Sequence, residues 1–230
     1  MLTRIRLLTV SLLIVVLLAI ISAASLFWLW RQRAPLDALP WQVADVATDR
    51  ETSVSVTWLG ISSLLFDDGE TQILIDGAFT RLSVLDIALM RRVRSDVAMI
   101  NYVLDEFRID RLAAIVPVHS HFDHAIDVGQ LANRSQALLL GSESAANIAR
   151  GAGVPVDQFQ ILASGESRLF GEFTVTLLES RHVANGLGRD GWPGGVIEEP
   201  LEQPARFWAW RGGAAHAILL SHPAGSTLVQ

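Results

Sequence analysis

The 230-residue sequence contains no cysteine, which excludes disulfide bonds and thiolate metal sites. It also contains no lysine: all 18 basic residues are arginines, and they form no basic stripe or block in a chain of formal net charge -6. Nucleic acid is therefore not an expected partner, because phosphate binding needs clustered Lys or Arg. Any metal must be held by carboxylates and by the six histidines.

The amino terminus carries the longest uncharged run, residues 7–30. As a helix this run would span about 36 Å, enough to cross a hydrocarbon core of about 30 Å. Trp28 and Trp30 lie at its end, where amphipathic rings favour the membrane interface. We predict a single-pass membrane anchor over residues 1–33, with the domain on the extracytoplasmic (periplasmic) side. A signal peptide cleaved after Ala24 is the alternative.

The rest of the chain is predicted to be a linker at 34–52 and one α/β domain at 53–230. Three short β-rich runs separated by turn residues predict an antiparallel meander at its start. Apolar residues spaced by three and four over 84–107 predict a helix, which a break near Ser95 could interrupt. Residues 112–118 predict a buried strand that runs directly into His119.

Further helices and strands alternate after this point. Helices are expected at 125–133 and 142–150, the second with Ser142 as its N-cap. Strands are expected at 54–58, 62–66 and 71–75 in the meander, and later at 137–140, 167–170, 173–178, 206–210, 215–220 and 227–229. The Gly- and Pro-rich residues 183–204 between them predict a long loop of the kind that tends to be functional or disordered.

Four metal-ligand side chains crowd the end of the strand before His119, in the sequence VHSHFDHAID. His119 and His121 are two apart on an extended segment, so their rings project to the same side. Asp123 and His124 follow where the chain turns into a helix. Imidazole and carboxylate suit zinc, manganese or ferrous iron. A third ligand must arrive from a distant strand, and His182 fits because it follows one.

The pattern His-x-His-x-Asp-His resembles the signature of the metallo-β-lactamase superfamily. The segments Thr57-Trp58-Leu59-Gly60 and Ile75-Asp76-Gly77 precede it in the order typical of that superfamily's phosphodiesterase- and lactonase-like branches. The resemblance covers about residues 54–230 and implies an αββα sandwich. It also implies a zinc-dependent hydrolase, in which a metal-bound hydroxide attacks an ester, lactone, amide or phosphodiester bond of a small-molecule or lipid-like substrate.

The resemblance assigns the ligands by position. His119, His121 and His182 would hold a first metal, while Asp123 and His124 would contribute to a second. Asp123 would also hold the nucleophile and shuttle its proton to the leaving group. The expected cofactor is one or two Zn²⁺ ions, with Mn²⁺ or Fe²⁺ as alternatives.

Two further carboxylates are expected to support these ligands from behind. Asp76, which follows a strand, would lie near the metals and brace the ligand shell. Asp127 would orient a ligand imidazole, although a plain first-turn acid of the following helix is an equally good reading. Within the Gly- and Pro-rich loop, Arg189 and Trp192 are expected to contact substrate.

The sequence also departs from the family. Dinuclear members take a bridging Asp and a final His from later strands, and here Asp190, His216 and His222 are only weak counterparts. Ile61 stands where close branches often have a histidine. Because the sequence stops on what looks like a core strand, we expect a domain that is incomplete at its carboxyl end.

These departures keep two other functions open. One is a membrane-tethered module that binds a metal or a partner without turnover. The other is an inactive fragment that lacks the remaining ligands of the second metal. Neither the substrate nor the oligomeric state follows from the sequence.

Overall fold

The computed structural model describes residues 2–31, 53–182 and 193–230. The predicted linker at 34–52 lies outside these ranges, as do Arg189, Asp190 and Trp192. The amino-terminal unit contains one helix, α1 (Leu2–Arg31). Its central stretch Thr9–Trp28 has a mean hydropathy of 2.8 over 20 residues, so it is long and apolar enough to cross a membrane, a property that signal sequences share.

The second unit mixes strands and helices, which confirms the α/β class. In chain order its strands are β1 (Ser55–Gly60), β2 (Ser63–Asp67), β3 (Gln72–Ile75), β4 (Arg92–Val93), β5 (Leu112–Val116), β6 (Leu138–Gly141), β7 (Phe159–Ile161), β8 (Ser167–Phe170), β9 (Phe173–Ser180), β10 (Ala205–Arg206), β11 (Ala215–His222) and β12 (Gly225–Val229). Its α-helices are α2 (Val84–Ala88), α3 (Val97–Glu106), α4 (Phe122–Ala125), α5 (Val128–Ser135) and α6 (Glu143–Gly151).

The larger sheet has the strand order β1-β2-β3-β5-β6-β7. The first three strands form the predicted meander, and β3, β5, β6 and β7 run parallel to one another. The pairing of Ile75 with Val116 brings the carboxyl ends of β3 and β5 to the same edge. The residues that follow these two strands therefore meet in space, and they include Asp76 and the histidine-rich segment.

Side chains alternate between the two faces of this sheet, as the period of two in a strand requires. Ile73 and Ile75 pack towards the smaller sheet, of order β12-β11-β9-β8, where they meet Val175 and Ile218. Leu74, on the opposite face, packs with residues of the helices. The described residues thus supply three layers of the expected αββα sandwich: one of helices and two of strands.

The predicted helix over 84–107 is wrong as a single element. It divides into α2, the short strand β4 and α3, so the expected break near Ser95 is correct. Each helix has its own cap: Ser83 and Asp86 form a capping box on α2, and the Asp96 carboxylate accepts from the backbone of Ala98 and Met99 on α3. These local hydrogen bonds compete with helix continuation, which is why the apolar spacing misled.

Three smaller expectations also need correction. The helix at 125–133 is two helices, α4 and α5. The strand at 206–210 is mostly the 3₁₀ turn Phe207–Ala209 after the two-residue strand β10. The final strand, β12, lies at the edge of the smaller sheet and is largely exposed, so it is not a core strand. The Ser142 N-cap is confirmed, because its hydroxyl accepts from the backbone of Ala145.

Candidate metal centre

Asp76 ties the ends of two neighbouring strands together. It follows β3 with φ of 60°, a left-handed conformation that Asp adopts more readily than most residues. Its backbone N–H donates to the Val116 carbonyl (3.0 Å), and its Oδ1 accepts from the Val118 N–H (2.8 Å). Oδ2 lies 2.8 Å from Nδ1 of His124. This buried carboxylate therefore fixes the exit of β5 and the orientation of one imidazole.

Three imidazoles from two distant parts of the chain converge beside Asp76. His119 and His121 follow β5, and His182 follows β9. Their ring centroids are 4.7 to 4.8 Å apart, and each ring is nearly perpendicular to the other two. One nitrogen from each ring lies within 4.8 Å of the other two, so the three could hold one metal ion after small ring movements.

The outer nitrogen of His121 is held by a backbone carbonyl. Nε2 lies 3.1 Å from the Pro193 oxygen, which can only accept, so Nε2 carries the proton. The Nδ1 lone pair then faces Nε2 of His119 at 2.9 Å. Gly212 permits this arrangement, because a Cβ on that residue would lie 3.1 Å from the imidazole Nε2. Ligand imidazoles in metal sites are usually oriented by such a carbonyl.

Burial keeps two of these histidines neutral. Burial, together with the neighbouring imidazoles of His124, His121 and His182, lowers the pKa of His119 to about 2. Burial also lowers the pKa of His121, although its hydrogen bond to the Pro193 carbonyl opposes the shift. A neutral imidazole presents the lone pair that a metal needs, so both rings are in the protonation state that metal binding requires.

His124 and Asp123 lie next to the three-histidine cluster. The His124 ring is 4.0 Å from that of His119, and its Nε2 is 3.9 Å from Oδ2 of Asp123. Burial opposes protonation of His124, but its hydrogen bond to Asp76 more than offsets this and raises the pKa of the imidazole. The Asp123 side chain is 44% exposed, so solvent reaches it.

Asp127 has a different place from the one expected. Its buried carboxylate accepts from the backbone N–H groups of Phe79 and Thr80 and from the Thr80 hydroxyl, each at 2.7 Å. Among the described residues, these hydrogen bonds go to the loop after Asp76 and not to an imidazole, and the side chain makes no cap on α5. Asp127 therefore supports the centre through that loop.

A cavity of about 530 Å³ opens beside the cluster, lined among others by His119, His124, His182, Asp76, Trp58 and His216. His216 is buried and its Nδ1 has no hydrogen-bond partner among the described residues. It is not one of the three clustered imidazoles. Ile61, at the position where a family histidine is often found, also lines this cavity. His222 lies at the opposite end of β11, 3.4 Å from Asp68.

Sequence reasoning missed Pro193 and Gly212. Both act through backbone atoms or the lack of a side chain, and they approach His121 from residues about 70 and 90 positions away, so the local pattern carried no signal for them. The position of Gly212 is fixed by its N–H, which donates to the Pro193 carbonyl at 3.1 Å, and by its own carbonyl, which accepts from Ser120 at 3.0 Å.

No family model and no curated protein matches the chain by sequence. Solved structures do resemble it. YhfI from Bacillus subtilis is 15% identical with a TM-score of 0.43, and it covers 74% of this chain and 54% of its own. A Cronobacter sakazakii metallo-β-lactamase with an HARLDQ motif is 17% identical, with a TM-score of 0.45 and coverages of 76% and 59%.

A third structure, Igni18 from Ignicoccus hospitalis, is described as a metallo hydrolase and is 13% identical, with a TM-score of 0.44 and coverages of 75% and 57%. The solved structures that resemble this chain are metallo-β-lactamase-fold proteins. The chain spans less than two thirds of their length.

Replacing Asp76 by Asn should lower the pKa of His124 in metal-free protein, because the carboxylate that raises it is lost. Asn can keep the positive φ and accept from Val118. In the parent protein, the raised pKa of His124 stabilises the folded state. This stabilisation is fully present below about pH 6.5, the pKa of the imidazole in the unfolded chain, and is lost as the pH rises through its pKa in the folded protein. The destabilisation by D76N should therefore be largest at acid pH.

Imidazole NMR titration and urea unfolding at several pH values, both with a chelator present, measure these two effects. The control is Asp110→Asn, whose side chain is 69% exposed. An unchanged His124 titration in D76N would contradict the hydrogen bond between the two side chains.

Proposed function

We propose that the chain is a metal-dependent hydrolase, with zinc held by His119, His121 and His182. The observation that carries this proposal is the convergence of three imidazoles from two distant parts of the chain, where burial lowers the pKa of His119 and of His121. Histidine-only sites suit zinc, and three protein ligands leave a fourth position open. Membership of the metallo-β-lactamase superfamily is part of this proposal.

The donor set fits such a metal. His121 already has the tautomer that a ligand needs, since Pro193 holds its other nitrogen. The metal, when bound, lowers the pKa of a water from about 15.7 to about 7 and so supplies a nucleophile at neutral pH. Without a cation, His119 and His121 would have to share one proton between Nε2 and Nδ1, which are 2.9 Å apart. A cation would satisfy both lone pairs.

Asp123 is the proposed proton carrier. Its carboxylate is accessible to solvent and lies beside the cluster, where it can accept a proton from an attacking water and deliver it to the leaving group. Asp76 holds the His124 ring through Nδ1, which leaves Nε2 directed towards Asp123. Asp123 and His124 would also contribute to any second metal.

The proposed substrate is a small molecule with an ester, lactone, amide or phosphodiester bond. The cavity of about 530 Å³ beside the cluster is large enough for a small molecule that contains such a bond. Trp58 and the imidazoles line it.

Replacing His182 by Asn should weaken zinc binding by more than about 100-fold. Losing a residue that only orients a ligand costs up to about 100-fold in metal affinity, and losing a direct ligand should cost more. Metal content by mass spectrometry and turnover of p-nitrophenyl acetate and bis(p-nitrophenyl) phosphate measure the effect. The matched control is His222→Asn, at the far end of β11, which should keep its metal and activity.

Full zinc content in H182N would remove the basis of the proposal. A parent protein that binds one metal per chain and hydrolyses neither probe would instead favour a metal- or partner-binding module without turnover.

Replacing Asp123 by Asn should reduce turnover by roughly 10²–10⁴-fold, the usual contribution of a positioned acid or base, while the first metal stays bound. The Asp157→Asn variant, which changes an exposed acid outside the cavity, is the control. Equal activity of D123N and the parent protein would exclude Asp123 as the proton carrier.

We also propose that α1 anchors the chain in a membrane, with the domain on the extracytoplasmic side. The described side chains of Thr9–Trp28 support this, because none is buried within the protein. Intact mass measurement on protein extracted from membranes should show residues 1–33 still attached. A mature chain that starts near Ser25 would identify the segment as a cleaved signal peptide instead.

A further inference from the structure

Helix α2 and the residues that follow it turn an unusual number of apolar side chains towards solvent. No residue of α2 is buried. The exposed apolar residues form what we call the α2 patch: Val84 (82% exposed), Leu85 (61%), Ile87 (40%), Leu89 (59%) and Met90 (58%). Contiguous exposed apolar residues of this kind usually mark a surface that binds a partner or a membrane.

The α2 patch is held in place by its own hydrogen bonds. Ser83 and Asp86 form a reciprocal capping box at the start of the helix, and the Arg91 N–H donates to the Asp86 carbonyl at 2.8 Å. Directly afterwards Val93 is buried, and it pairs with Ala205 in the β4–β10 ladder. The apolar side chains are therefore displayed by an ordered element that is fixed at both ends.

Arginines lie at the carboxyl end of the α2 patch, in a chain whose net charge is negative. Arg91, Arg92 and Arg94 follow it directly and are exposed, and Arg206 lies opposite Arg92 in the ladder. Among the described residues, Arg91 is paired with an acid of the helix, Asp86, at 3.5 Å on the surface, where such a pair contributes little. Apolar side chains beside arginines are the composition of an element that lies in the interface of an anionic membrane.

The apolar surface continues past α2. Ile87 and Met90 also line a groove of about 600 Å³ with Phe207, Trp208 and Pro193. The guanidinium of Arg206 lies 5.1 Å from the centre of the Trp208 ring, which again places a cation beside an amphipathic aromatic side chain. Tryptophan and arginine together favour the depth of the lipid headgroups.

We propose that the α2 patch and its arginines dock on the surface of a lipid bilayer that contains anionic lipids. The chain itself carries a helix apolar enough to cross a membrane, so a bilayer is the partner expected at the highest local concentration. The exposed Arg91, Arg92 and Arg94 beside the patch complement the negative charge of anionic headgroups. This docking rests on the proposed membrane anchor and is independent of the metal chemistry.

The absence of native cysteines makes the test direct. The full chain, with Leu85→Cys carrying an environment-sensitive fluorophore, is reconstituted into vesicles of phosphatidylcholine and phosphatidylglycerol that contain a nitroxide-labelled lipid. The control carries the probe at Val156→Cys, which is 81% exposed in a 3₁₀ turn far along the sequence. Neither residue contributes to the core, so both variants should fold, which circular dichroism checks.

The probe at residue 85 should be quenched severalfold more strongly than the probe at 156. Replacing Arg91 and Arg94 by Gln should lower the ratio of docked to undocked protein by roughly fivefold per arginine, and phosphatidylcholine alone should weaken docking similarly. Equal quenching at the two positions would overturn the proposal. So would a response at residue 85 that appears in lipid-free detergent and grows with protein concentration, since this would identify the α2 patch as a contact between copies of the chain.

Discussion

The hydrogen bonds of the Asp76 carboxylate hold the candidate metal centre together. One oxygen accepts from the backbone at the exit of β5, and the other holds an imidazole of the helix that follows. Because β3 and β5 are parallel neighbours, a side chain immediately after β3 is the natural bridge to the histidine-rich segment. The left-handed backbone at Asp76 is strained, and the hydrogen bonds of its carboxylate offset that cost.

The loop after Asp76 is secured in turn by Asp127. That carboxylate binds two consecutive backbone N–H groups of the loop and a hydroxyl, and the Asp127 N–H donates to the Gly77 carbonyl at 3.1 Å. Burial raises the pKa of Asp127 despite these hydrogen bonds. The polar interior of this region is thus a connected network, in which each acid fixes the position of the next element.

Much of the fold could be predicted from the sequence where the signal is local. The meander follows from alternating residues and a turn, the buried strand β5 from its apolar run, and the α6 cap from Ser142 before a helical pattern. The clustering of His119 and His121 follows from their spacing, and the approach of His182 from its place after a strand. The single helix over 84–107 was wrong because α2, β4 and α3 share one apolar period. Local caps and one non-local pairing, that of Val93 with Ala205, divide it into three elements.

The carbonyl oxygen of Pro193 accepts from both His121 and Gly212, so it belongs to the centre as much as the imidazoles do. If this carbonyl moved away, Nε2 of His121 would no longer be held as the protonated nitrogen. The affinity of the ring for a cation would change as a result. By thermodynamic reciprocity, a cation bound to that ring would in turn stiffen the main chain at Pro193. The position of the Pro193 carbonyl and the binding of the cation would therefore be coupled, and one coupling free energy would describe the effect of each on the other.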